Sequence, residues 1–401
     1  MKTVCIGGKN NITVNVLEYA TTHLENVVVV AILNRNDMGV DGWQRSVKKY
    51  CITHNIPIMT LEEVYNIEDL VFISTEFDRI IKPNKFKSEQ LFNIHFSLLP
   101  KYKGMYTPIL PILNGDSFTG VTLHVIRSGI DTGEIIAQEM ISIEKDMNSF
   151  MLYQKLIEKG TEVVINNLRS LINGEYQVYK QPKKNSSYFG TGYIDYKNLT
   201  LRTNCTADQI YNQIYAYAFR PYQLVTFRDV KLLGAMITDN VSNKMPGTVI
   251  DEDDVSLTIS TIDYDIVVYK DVLDNLFDAV KTHDNDKAKQ LCTYKLIVNE
   301  KDVHGWTPLT VAVYNNNFDM ARYLIGLGAN ERVVNNNGTT LLMFAKDCGL
   351  ITGDWKMFRY LIGLGLSVYD KDYGGQSLVD YLSKDRREVP DDIKEIIKDV
   401  V

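Results

Sequence analysis

Residues 2–6 and 27–33 (VVVVAIL) are unbroken apolar, β-branched runs, the pattern of strands covered on both faces of a parallel sheet. Between them Val14, Val16, Leu17, Tyr19 and Leu24 recur at helical spacing. Another apolar run, LVFIST, starts at Leu70, and a further strand through Phe92 to His95 follows after a short helix. Residues 120–143 read as a strand, a loop through Gly129 to Gly133, and a second strand. An amphipathic stretch from about Phe150 to Leu171 predicts a long helix with Gly174 as its stop. Alternating strands and helices imply a doubly wound, Rossmann-like α/β domain. Its expected extent is residues 1–200.

The pattern then changes. A helix over Ala207 to Phe219 precedes five short strands: Leu224 to Phe227, Lys231 to Met236, Gly247 to Ile250, Val255 to Ser260 and Ile266 to Tyr269. These suggest a small antiparallel β domain over residues 201–267. From residue 268 the chain repeats itself. The run Gly305-Trp306-Thr307-Pro308-Leu309 recurs as Gly338-Thr339-Thr340-Leu341-Leu342, 33 residues later, and as Gly375-Gln376-Ser377-Leu378-Val379 after 37 more. The extra length is expected in a loop near Gly349 to Trp355. Helices ending RYLIGLG lie between the turns, from Arg322 and from Arg359. Period, turn and helix ending resemble all-α ankyrin repeats over residues 268–401. Leu276 to Leu291 reads as an N-terminal repeat without the turn, and Asp391 to Val400 as a polar cap. Such repeats bury their faces only against neighbours.

Composition narrows the class. Of 401 residues 45% are hydrophobic and 23% charged, and the formal net charge is −7. That balance argues against a nucleic-acid surface. No run of eighteen apolar residues occurs, so no membrane span is expected. The five cysteines, Cys5, Cys51, Cys205, Cys292 and Cys348, are scattered and make no CxxC pair, which fits a reducing cytoplasm and gives no zinc spacing. No metal is expected.

The chemistry lies between residues 93 and 133. Asn93 opens NIHFSLLPKYKG, and GVTLHVIRSGIDTG follows with Asp131 near its end. Asn93 and His95 are two apart and share a strand face. Together these stretches resemble the formyltransferase family that uses 10-formyltetrahydrofolate. The matching positions are Asn93, His95, Ser97, Leu98, Leu99, Pro100 and Gly104, then Asp131, Thr132 and Gly133. The upstream segment FDRIIKP, Phe77 to Pro83, also looks like the family's element beside the folate. The resemblance spans about residues 1–265.

The resemblance implies a catalytic trio. His95 takes the proton of the attacking amine, Asn93 offers amide N–H donors to the oxyanion, and Asp131 orients His95, favours its charged form or holds a relaying water. It implies folate contacts from Phe77, Ile80, Gly129, Ile130 and Asp131. His124 reads as a packed strand residue and Ser97 as a structural hydroxyl. Gly7-Gly8-Lys9-Asn10 is a strand-to-helix turn; Gly8 and Lys9 could also meet a substrate diphosphate. The segment Lys101 to Leu113 looks like the form found in enzymes that formylate nucleotide-linked amino sugars, with Lys103, Gly104 and Tyr106 toward the substrate. The expected acceptor is a dTDP-linked amino-dideoxyhexose, of the 3-amino-3,6-dideoxyglucose type in preference to a 4-amino one, used for O-antigen, and the expected assembly is a homodimer. A different reading is an ankyrin-mediated interaction protein with a degenerate enzyme domain. On the repeats, Trp306 is a candidate contact for a second ligand, beside a protein partner.

Overall fold

The computed structural model of the protein describes residues 1–220, 222–385 and 387–398. Its first eight strands are β1 (Lys2–Gly8), β2 (Val27–Leu33), β3 (Leu70–Thr75), β4 (Leu91–His95), β5 (Lys103–Gly104), β6 (Phe118–Val125), β7 (Ile135–Ser142) and β8 (Tyr188–Phe189). Six of them form one sheet in the order β2-β1-β3-β4-β6-β7. Strands β2, β1, β3 and β4 run parallel; β6 and β7 are antiparallel additions. Every residue of β3 is buried, because it lies mid-sheet with both faces covered. The run VVVVAIL is different: β2 is an edge strand, and its Val28 is 36% exposed. Apolar continuity does not distinguish a central strand from the first strand at an edge.

Helices Asn10–His23 and Ser149–Asn173 pack on this sheet and on each other. The long helix starts where the Asn148 side chain accepts from Met151 N, and it ends at Gly174 in the left-handed region. A Cβ at Gly160 would lie 3.0 Å from both Ile12 and Phe96, so this glycine lets the helix approach the end of β4. Helices Val47–Thr53 and Leu61–Tyr65 fill the β2–β3 crossover.

A second sheet has the order β11-β12-β13-β10-β9, from β9 (Val225–Phe227), β10 (Val230–Ile237), β11 (Val249–Glu252), β12 (Ser256–Ile259) and β13 (Ile266–Lys270). The β9–β10 hairpin turns on Arg228 and Asp229, both left-handed at φ +49° and +66°, the twist that two-residue hairpins favour.

The repeats lie in a second compact unit, which also takes in residues 251–258. Helices pair as Leu273–Lys281 with Asn285–Leu291, Pro308–Tyr314 with Phe318–Gly326, and Leu341–Thr352 with Lys356–Gly363; Leu378–Lys384 and Asp391–Lys398 follow in the chain. Thr307, Thr340 and Ser377 cap their helices through the side chain. Stacking requires two of the turn glycines: a Cβ at Gly305 would lie 2.5 Å from Asn336 Oδ1 and one at Gly338 2.7 Å from Tyr373 N of the next repeat. The extra length expected as a loop lengthens a helix instead. Leu341–Thr352 has 12 residues where Pro308–Tyr314 has 7, and it ends at a left-handed Gly353. The expected cap helix is present to Lys398, and its last expected residues lie outside the described ones. Among the described residues no helix is long and apolar enough to cross a membrane.

Candidate active site

Strand β4 carries Asn93 and His95, and β6 runs beside it. The antiparallel register sets Asn93 opposite His124 and His95 opposite Thr122. His95 is buried, and its Nε2 lies 2.8 Å from Tyr102 O. A carbonyl only accepts, so Nε2 carries the proton and the Nδ1 lone pair is left. Asp131 comes from the β6–β7 loop, in the left-handed region at φ +50°. Its Oδ2 is 3.5 Å from His95 Nδ1 and its Oδ1 is 3.5 Å from His124 Nε2. Its short bond is from Gly104 N, at 2.8 Å.

Orientation of His95 thus comes from the Tyr102 carbonyl, and Asp131 faces the atom that would take a proton. Burial lowers the His95 pKa; Asp131 and the Tyr102 bond oppose it, and the net shift is downward. The ring is neutral near neutral pH and able to act as a base. Burial alone would raise the Asp131 carboxyl. His95, His124 and Gly104 N outweigh it and hold the group down to about 2. A carboxylate therefore waits beside the nitrogen where an imidazolium would form.

The formyl transferase family matches residues 61–168, and ankyrin repeats in three copies match residues 276–372. The methionyl-tRNA formyltransferase of Malacoplasma penetrans is 30% identical over 235 residues, 56% of this chain and 73% of that protein. An N-formyltransferase from Helicobacter canadensis, solved with folinic acid and dTDP-3-aminofucose, is 41% identical with a TM-score of 0.63; the match covers 67% of this chain and 100% of that one. The chain belongs to the formyltransferase family. A sugar 3N-formyltransferase solved with dTDP and 5-N-formyl-THF is likewise 41% identical, TM-score 0.63, over 67% of this chain and 98% of that one. Family membership makes the protein an enzyme that transfers a formyl group from a formyltetrahydrofolate.

In this formyltransferase the residues expected around the trio are distributed unevenly. Gly104 joins the site through its N–H; its φ is +87°, and a Cβ there would lie 2.3 Å from Phe189 O. Lys103 and Tyr106 are engaged elsewhere: Lys103 Nζ donates to Ser186 Oγ at 3.1 Å, and Tyr106 OH accepts from Gly192 N at 3.0 Å. Gly8 is needed for close packing, since a Cβ would lie 1.9 Å from Thr75 O. Lys9 N-caps the first helix with no side-chain cap bond. Phe77 stands edge-on to Phe72 and beneath the Arg79 guanidinium, so core packing accounts for it. Ile80 and Ile130 are 72% and 41% exposed. Gly129 is closed over by Thr132, whose Oγ1 donates to Gly129 O. Trp306, in the repeats, packs with its centroid 4.9 Å from Tyr314 and 5.1 Å from Phe344. Among the described residues no group of three or more His, Cys, Asp or Glu could hold a metal ion.

Three groups escaped the sequence reading. His124 is buried in its strand as expected, yet its Nε2 is 3.1 Å from Asn93 Nδ2. Tyr102 contributes a carbonyl, which no side-chain motif reveals. Glu76, just past β3, accepts from Tyr153 OH at 2.7 Å and Asn10 Nδ2 at 3.3 Å. Burial pushes its carboxyl pKa up, against Lys9 and those two hydrogen bonds.

Proposed function

We propose that the enzyme moves a formyl group from 10-formyltetrahydrofolate to the amine of a dTDP-linked 3-amino-3,6-dideoxyhexose. The amine attacks the formyl carbon and a C–N bond forms. The oxyanion is met by an N–H of Asn93. The amine's proton passes to His95 Nδ1, where the Asp131 carboxylate stabilises the imidazolium. The bond from the formyl carbon to the folate nitrogen then breaks, and that nitrogen recovers the proton. The carrying observation is the paired arrangement of His95 Nδ1 and the Asp131 carboxylate, 3.5 Å apart, with Asn93 on the same strand.

The sugar acceptor is supported by two relatives solved with dTDP or a dTDP-amino sugar. Both are 41% identical and matched over nearly their whole length, against 30% for the tRNA-modifying relative over 73% of it. The negative formal charge of −7 also disfavours a tRNA. The 3-amino position follows the names of the same two relatives. Exposed Ile80 and Ile130 suit the flat folate ring, and Gly8 with Lys9 suits a diphosphate. The 1–200, 201–267 and 268–401 division assigns catalysis, pairing of subunits and a separate binding role in turn. The small β segment leaves Met236, Val241, Met245 and Ile262 at least half exposed, an apolar surface suited to a second copy in a homodimer. Five unpaired cysteines fit a cytoplasmic enzyme, and the formylated sugar suits surface polysaccharide such as O-antigen. The repeats carry either a protein partner or a second nucleotide sugar at Trp306.

The test is a panel of 3-amino and 4-amino dTDP-sugars assayed with 10-formyltetrahydrofolate. Formylation of a 3-amino member is the expected result. Formylation confined to 4-amino sugars would move the assignment, and turnover of none would place the acceptor outside the dTDP-amino sugars.

A further inference from the structure

Asp131 is held by its backbone more than by its side chain. The carboxylate lies 3.5 Å from each imidazole, and its short bond is to Gly104 N. The residue occupies the left-handed region, φ +50°, which a non-glycine residue keeps only when its surroundings enforce it. Gln181, fifty positions on, supplies that enforcement. Its Nε2 donates to Asp131 O at 2.8 Å and to Gly133 O at 2.7 Å. Both partners are carbonyls, so the amide can stand only one way round. Its Oε1 is buried without a partner, an unfavourable arrangement that the two N–H bonds must offset. The loop is pressed against the end of β6, where a Cβ at Gly133 would lie 1.7 Å from Val125 O. The segment bearing Gln181 is itself anchored by reciprocal Tyr179 and Ile135 backbone bonds, each 2.8 Å.

We propose that Gln181 is a positioning residue for the reaction: it clamps the Asp131 and Gly133 carbonyls so that the Asp131 carboxylate stands between His95 and His124. The inference rests on the catalytic reading of His95 and Asp131. Loss of the clamp lets the carboxylate drift from His95 Nδ1, where small displacements are costly to rate.

Two variants separate positioning from folding. Gln181→Glu keeps the shape and turns an oxygen toward two carbonyls. Gln181→Met keeps the volume and removes the donors without adding repulsion. Each is compared with wild type and with Asp131→Asn in the full chain, by the pH profile of kcat/KM and by NMR titration of the His95 ring. The expected result for both Gln181 variants is a kcat loss of about 10- to 100-fold. In Gln181→Met, which adds no charge, the His95 titration should move to lower pH, the direction Asp131→Asn also gives, because a nearby carboxylate favours the imidazolium. A rate loss with the His95 titration unmoved would overturn the proposal and leave Gln181 a loop support. So would wild-type kinetics in both variants. Wild-type kinetics in Asp131→Asn would instead overturn the catalytic reading beneath it.

Discussion

Asn93 Nδ2 lies 3.1 Å from His124 Nε2, across the ladder that joins β4 to β6. The pairing decides how the amide of Asn93 is used. His124 Nδ1 is 2.9 Å from Val125 O, so Nδ1 carries a proton, and while the ring is neutral Nε2 accepts from the amide. One N–H of Asn93 is thereby committed and the other stays available for the oxyanion. His124→Phe keeps the volume and removes the acceptor, freeing the amide to turn. We predict a fall in kcat of about 10- to 100-fold, with KM for both substrates changed less than threefold. Steady-state kinetics on the purified variant check this, and an unchanged kcat would show that Asn93 is oriented by something else.

His95→Asn removes the Nδ1 lone pair that takes the amine's proton in the proposed mechanism. The expected loss is about two to four orders of magnitude in rate, with dTDP-sugar affinity retained by calorimetry. Asn93→Ala should lose on the order of 10²-fold. Near-normal turnover by His95→Asn would remove the base from the mechanism.

The pH profile has a definite sign. Burial lowers the His95 pKa below its ordinary 6.5, and the base works only when neutral. The acid limb of kcat/KM should therefore lie below pH 6.5. Asp131 raises that pKa, so Asp131→Asn should move the limb further toward acid while lowering the plateau. An acid limb above neutrality in the wild type would contradict the buried, neutral His95.

Much of this arrangement is legible in the chain, and what is not has physical causes. Asn93, His95 and Asp131 are visible because the motif is local at each end. His124 looks like any packed strand histidine until the register places it opposite Asn93, 31 residues away; no periodicity encodes that pairing. The Tyr102 carbonyl is equally hidden, since backbone atoms carry no residue signature. VVVVAIL is correctly a strand, but its place at the sheet edge depends on which strands lie beyond it. The insertion between the second and third turns is visible as length; its entry into helix Leu341–Thr352 depends on packing, where Trp355 covers Gly349.

The assembly prediction rests on the small β segment. Met245 is 78% exposed and Ile262 57%, more apolar surface than five short strands need leave open. Light scattering at working concentration should give twice the chain mass of 45.8 kDa, since a two-fold pair is the commonest closed assembly. Charged substitutions, Met245→Glu with Ile262→Glu, should shift the mass toward one chain. A monomer for the unaltered protein would refute the homodimer.

Trp306 decides between two roles for the repeats. It follows the turn Gly305, and its backbone N–H donates to Asp302 Oδ1 at 2.8 Å. The ring is partly exposed and lies in a cluster with Tyr314, itself 49% exposed, and buried Phe344. The indole is thus only partly covered. Stacking of a base there would be worth about 1–3 kcal/mol, enough to change affinity several-fold or more. If the ligand is a second dTDP-sugar, calorimetry should count two sites per chain, and Trp306→Ala should abolish one while His95-dependent turnover persists. The substrate-saturation curve should change shape in that variant, because an effect on catalysis requires coupling between two distinct sites. One site per chain, indifferent to Trp306→Ala, would eliminate the nucleotide-sugar role and leave the repeats to a protein partner.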